Sequence, residues 1–165
     1  MKKLLFALLL AAPMLFTSCS KEETKIVSPF NNIEFDKRLA VTKSDLVKYQ
    51  VIRNLNNNKY TFMVFKNSEA AILITDLNTK PEGYLYSSQW DVSGGNLTIV
   101  SEQGVTNTLA ISKEYKRSGG DSYTITVYLK DSTGEYAYDA VDDGGNSAYA
   151  SNIWSVINNE RNSKK

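Results

Sequence analysis

Tyr84, Tyr86 and Trp90 fall at i, i+2 and i+6 of one stretch, Glu82 to Asp91. Read as a strand, that spacing sets three rings on one face. Tyr136 and Tyr138 repeat the pattern near the C-terminus. A row of rings is what a sugar or a flat apolar ligand stacks against. The same rings also serve as barrel filling or as cross-strand pairs, so both readings stand at this point. Carboxylates are the other candidate chemistry. Glu82, Asp91, Glu102, Glu114 and Glu135 could pair as glycosidase acids, but among 18 acidic residues no spacing singles out a pair. Histidine is absent and Cys19 is the single cysteine. That excludes Ser-His-Asp triads, Cys-His dyads, zincin motifs and ordinary zinc sites within the chain. Asp139, Asp142, Asp143 and Asn146 surround Gly144-Gly145 and could offer oxygens to calcium. The EF-hand spacing fails, because its twelfth position counted from Asp142 is Ile153, and a solvated turn is the simpler reading. No catalytic residue, cofactor or metal is therefore assigned.

These residues must be carried by something, and the pattern between them is β. Short apolar or alternating runs recur at roughly 8–12 residues, separated by turn sequences. The turns include Asn54 to Asn58, Ser93-Gly94-Gly95-Asn96, Gln103-Gly104, Ser118-Gly119-Gly120-Asp121 and Asp131-Ser132-Thr133-Gly134. Tyr123, Ile125, Val127 and Leu129 share one face, opposite Thr124, Thr126 and Tyr128. That alternation belongs to a sheet with one wet side. The expected fold is all-β, a small antiparallel meander of about eight strands that closes into a barrel and so loses its edges. Thr42-Lys43-Ser44-Asp45 reads as a helix cap and a single turn, leading into a strand over Val47 to Arg53. Ala148 to Asn158 places Tyr149, Ile153, Val156 and Ile157 at helical spacing, although Ile153-Ser155-Ile157 also alternates as a strand would. A C-terminal helix is the preferred reading, with Asn158 to Lys165 expected as a disordered tail.

The N-terminus is of a different kind. Lys2 and Lys3 precede an apolar run, Leu4 to Phe16, too short to span a bilayer stably. It ends at Thr17-Ser18-Cys19. Leu15-Phe16-Thr17-Ser18-Cys19 resembles a lipoprotein lipobox, and Ser20-Lys21-Glu22-Glu23 resembles the export signal of surface lipoproteins of the Bacteroidota. The resemblance implies diacylglycerol on the Cys19 thiol, an acylated amine, and a place on the outer face of the outer membrane. Each buried methylene adds about 0.8 kcal/mol, so two or three acyl chains hold effectively permanently. Cleavage before Cys19 would split the single Ser-x-x-Lys match, Ser18 to Lys21. The expected organisation is a signal peptide over 1–18, a tether over 19–38, an antiparallel β domain over 39–141 and a C-terminal segment over 142–165. Phe30, Ile33 and Phe35 could pack on the domain edge and order the end of the tether.

A capped turn, a first strand near Leu46-Val47-Lys48-Tyr49, a meander and a last helix resemble the lipocalin-like group in architecture. Where that group carries Gly-x-Trp, this chain has Lys48-Tyr49-Gln50. Asp131-Ser132-Thr133 is similar to the O-glycosylation tripeptide of exported Bacteroidota proteins and reads equally as a plain turn. A formal charge of +1 with no basic block beyond Lys164-Lys165 leaves no electrostatic footprint for nucleic acid. The function expected from all this is a membrane-anchored, non-enzymatic module that binds a small apolar or glycan ligand through Tyr84, Tyr86, Trp90, Tyr136 and Tyr138. The alternatives are an interaction or inhibitor subunit working through its turns on a protein partner the sequence does not name, and a two-carboxylate hydrolase.

Overall fold

The structure is a computed structural model that describes residues 33–78, 80–120, 122–141 and 148–163. The signal segment, Cys19, most of the tether, the Asp142 to Asn146 turn and Lys164-Lys165 lie outside the described residues.

Helix α1 spans Lys43–Tyr49. Thr42 starts it with a capping box: its hydroxyl accepts the Asp45 N–H at 3.2 Å, and its own N–H reaches an Asp45 carboxylate oxygen at 2.8 Å. Leu46 and Tyr49, three apart, both bury. The residues Val47 to Tyr49, expected in a strand, are therefore helical, because the cap and the buried pair favour another turn. Gln50 then stops the helix in a left-handed conformation at φ 59°, its N–H bonded to Leu46 O at 2.9 Å.

Nine antiparallel strands follow among the described residues: β1 (Val51–Asn56), β2 (Lys59–Phe65), β3 (Ala70–Asp76), β4 (Pro81–Ser87), β5 (Gln89–Ser93), β6 (Asn96–Val100), β7 (Thr106–Gly119), β8 (Ser122–Lys130) and β9 (Glu135–Val141). Their order is β4-β3-β2-β1-β9-β8-β7-β6-β5. The first strand thus pairs with the last, and both edges of the sheet fall at consecutive strands, β4 and β5. The sheet curls into the expected all-β barrel, nearly closed, with its seam where the chain turns at Ser88. Two of its hairpins use two-residue turns with both residues at positive φ, Asn57-Asn58 (48° and 61°) and Gly94-Gly95 (56° and 75°). Turns of that kind match the right-handed twist of the strands they join.

The barrel interior is filled. Leu46 and Tyr49 of α1 meet Ile52, Phe65, Trp90 and Val127 there, all at most 5 % exposed. Helix α1 therefore contributes to the barrel's own core. One charged group joins it. Ile111, Lys113 and Tyr115 alternate along β7 toward this core, and Lys113 Nζ donates to Asp45 Oδ1 at 2.7 Å. Burial pushes the Asp45 carboxyl upward, but hydrogen bonds from Lys113 and Thr42 together with the Lys113 charge outweigh it and hold the group below its ordinary value.

A second core lies on the other face of β1–β4. Helix α2 (Ala148–Ser163) lays Ala150, Ile153, Trp154 and Ile157 against Val51, Phe62, Val64 and Leu73. These helix positions are i, i+3, i+4 and i+7, one stripe. The C-terminal segment is thus a helix, and it continues through Ser163 where a disordered tail was expected from Asn158 onward. Arg161 accounts for the extra turns: its guanidinium lies 3.5 Å from the Tyr86 ring centroid and reaches Glu102 at 2.6 Å. The segment expected as tether is also held from Phe35 onward. Asp36 N–H bonds Tyr115 O, and Leu39 exchanges two backbone bonds with Lys113. Arg38 lies 3.0 Å over the Tyr128 ring.

Candidate functional site

The five rings singled out by spacing do not form one surface. Tyr84 and Tyr86 project from β4 into the layer beneath α2, whereas Trp90 projects from β5 into the barrel. The stretch Glu82 to Asp91 is two strands, and the extra residue at the Ser88 corner swaps the face that the period-2 count assigns. Ser87 Oγ closes the corner, accepting the Gln89 N–H at 3.0 Å. Trp90 is 5 % exposed, donates Nε1–H to Lys66 O at 3.0 Å and packs on Phe65 with centroids 5.0 Å apart. Tyr138 is buried in the same interior, and that burial raises its phenol pKa. Tyr136 is the exposed member, its hydroxyl 2.9 Å from Thr133 Oγ1. Tyr86 is enclosed by the Trp154 edge at 6.4 Å and by Arg161; its hydroxyl donates to Glu69, which raises its pKa. The barrel-filling reading describes Trp90 and Tyr138.

The five candidate acids are each held by a cation. Glu82 meets Lys59 at 2.6 Å, Asp91 meets Lys43 at 3.7 Å, and Glu102 meets Arg161. Arg38 gathers Glu135 at 2.9 Å and Glu114 at 4.0 Å, and Glu114 also accepts from Tyr128 OH at 2.7 Å. Arg38 is an ion-pair hub that pins the N-terminal segment to the outside of β7–β9. In the Asp131-Ser132-Thr133 turn, the Asp131 carboxylate accepts the Thr133 hydroxyl and the N–H groups of Thr133 and Gly134, which together lower its pKa; the turn is closed on itself.

A different set of rings lines an open groove. Strand β2 alternates, sending Met63 and Phe65 into the barrel and Tyr60 and Phe62 outward. Helix α2 opposes the outward pair with Tyr149, Ile153 and Val156. Their spacing, with Asn152, is i, i+3, i+4 and i+7, so one helix face forms one wall. Between the two lies a cavity of about 440 Å³. Tyr60 and Phe62 stack at 5.6 Å and 22°, and Tyr149 meets Phe62 edge-on at 5.8 Å and 81°. Leu73 and Thr75 form the floor, with Arg53 and Asn152 at the rim. The Thr75 hydroxyl is buried and has no hydrogen-bond partner among the described residues. A buried unpaired hydroxyl costs about 1–3 kcal/mol. The Arg53 guanidinium likewise makes no ion pair or hydrogen bond with the described residues. Asp139 is its neighbour across the β1–β9 ladder. A hollow of about 460 Å³ beside Trp90 is lined by Lys43, Asn67, Ser68 and Gln89 and offers no exposed ring.

The need for a second cover over β2 was readable in the sequence. Lys59 to Phe65 carries apolar side chains on both faces, with Tyr60, Phe62 and Val64 on one and Met63 and Phe65 on the other. A strand of that kind needs cover on both sides, and a helical stripe late in the chain is the available cover. The calcium reading of Asp142, Asp143 and Asn146 falls outside the described residues. No known protein family, curated protein or solved structure matches this chain.

Proposed function

We propose that the protein is a lipid-anchored, non-enzymatic binding module of the outer membrane surface that holds a small apolar or glycan ligand in the groove between α2 and β1–β3. The observation that carries the reading is the groove: about 440 Å³, walled by Tyr60, Phe62 and Tyr149. That volume lies in the range of small-ligand sites, which are mostly apolar with a few convergent polar groups. The filled interior supports a ligand held outside the barrel, so the likeness to lipocalin-like domains is one of architecture. The ring set moves from Tyr84, Tyr86, Trp90, Tyr136 and Tyr138 to Tyr60, Phe62 and Tyr149. The anchor rests on Lys2, Lys3, the apolar run and the lipobox-like residues before Cys19.

Two measurements test the reading. Cells fed an alkyne fatty acid should label the native protein, and Cys19→Ser should lose both the label and the membrane fraction; an unlabelled native chain refutes the anchor. Backbone NMR of the detergent-solubilised full chain, titrated with cyclic glycosides and aromatic ring compounds, should move amides of Tyr60, Phe62, Tyr149 and Asn152 together. A panel that moves none of them refutes the groove.

A further inference from the structure

Arg53 stands apart from the molecule's other arginines. Arg38 is spent on Glu135, Ser112 and the Tyr128 ring, Arg161 on Glu102 and Tyr86, and Arg117 lies over Phe35 at 4.3 Å. Arg53 is exposed, makes no ion pair or hydrogen bond with the described residues, and stands at the rim of the aromatic groove. A guanidinium offers five donors in a planar fork that suits a carboxylate, and it is not deprotonated in proteins. Rings in the wall and one permanently charged cation at the rim define a ligand by chemistry. From this we infer that the groove takes an acidic ring compound: a sugar acid or an aromatic carboxylate whose ring lies against Tyr60, Phe62 and Tyr149 and whose carboxylate meets Arg53. This rests on the binding reading above and adds the charge of the ligand.

Asp139 is the counter-argument built into the fold. It faces Arg53 across the ladder on the same side of the sheet, without closing to ion-pair distance. Its charge opposes an incoming anion and competes for the guanidinium. The ligand's carboxylate must outbid it, and it can do so because a bidentate pair gains two hydrogen bonds at once. Removing Asp139 should therefore tighten the acid and leave a neutral analogue alone.

The test uses 4-methylumbelliferyl β-glucuronide and its glucoside, which share both ring systems and differ in a carboxylate against a hydroxymethyl group. Each is titrated into the detergent-solubilised full chain and followed by NMR. The glucuronide should bind about five- to tenfold tighter, the effect of one partly screened charge-assisted contact. Arg53→Gln should abolish that preference, bringing the glucuronide down to the glucoside's affinity, and Asp139→Asn should widen it. Asn152→Trp, a filling change at the exposed rim, should weaken both probes. Equal binding of the two probes, or a preference that survives Arg53→Gln, overturns the charge assignment and leaves the groove standing. Failure of both probes, or binding that Asn152→Trp does not weaken, overturns the groove and the assignment together. A melting curve for each variant separates loss of binding from loss of fold.

Discussion

The Lys113–Asp45 pair sets a sharp test of how α1 is held in the barrel. Lys113 is 8 % exposed, and its partner oxygen lies 2.7 Å away. At an effective dielectric of 20, opposite charges at that separation attract by about 6 kcal/mol, most of which desolvation cancels. Asp45→Asn keeps an oxygen for the Thr42 N–H but leaves the buried ammonium without a counter-charge, and should cost about 3 kcal/mol. Lys113→Met supplies a chain of similar shape and leaves Asp45 bonded by Thr42; it should cost about 1 kcal/mol. The double variant removes both charges and should cost about 2 kcal/mol, giving a coupling of about 2 kcal/mol. Urea unfolding followed by tryptophan fluorescence reads this directly, because Trp90 and Trp154 are both buried. With a slope of about 2 kcal/mol per molar, Asp45→Asn should move the midpoint down by about 1.5 M. Additive single variants, with coupling under about 0.5 kcal/mol, would refute the reasoning. The pH dependence has a fixed sign. The folded Asp45 carboxyl lies below its ordinary value of 3.8, so its contribution is present above that pH and is lost as pH falls through the folded pKa. Asp45→Asn should flatten the acid limb of stability below about pH 4.

Three other outcomes follow from the same structure. Gln50 sits at φ 59°, ψ −41°, a region suited to glycine, so Gln50→Gly should be neutral or stabilise by up to about 1 kcal/mol while Gln50→Val should cost about 1–3 kcal/mol in thermal melts. Ile157 is fully buried between α2 and the sheet; Ile157→Ala should cost about 2–5 kcal/mol, read as a lowered urea midpoint. Glu114→Gln and Glu135→Gln should loosen the Arg38 clamp by no more than about 1 kcal/mol each in urea melts, Arg38 and Glu135 being exposed.

Much of the barrel was legible because turn chemistry is local. Asn57-Asn58 and Gly94-Gly95 announce their hairpins by residue type, and Tyr123 to Leu129 announces its two faces by alternation. The helical stripe of α2 was legible for the same reason. The ring row was not. A strict count from Tyr84 to Trp90 keeps the period, but the chain turns a corner at Ser88, and a single inserted residue sends Trp90 inward while Tyr84 and Tyr86 stay outside. Lys113 was hidden for another reason. A lysine in a strand reads as a wet position, and only the arrival of Asp45 from 68 residues away makes its burial tolerable. The groove depends on two segments, Tyr60-Phe62 and Tyr149 to Val156, whose meeting is a matter of topology, which local patterns do not encode.

The short strap from Phe35 to Leu39 gives the molecule an unequal response to mechanical load. A pull along the backbone from the N-terminal side reaches three bridging backbone bonds, at Asp36 and Leu39, before it reaches any ladder of the sheet. Those bonds break one after another, as in peeling, and release the segment ahead of Thr42, about 20–30 Å of extra length at about 3.3 Å per residue. The strap would thus act as a fuse that yields under load while the groove keeps its shape.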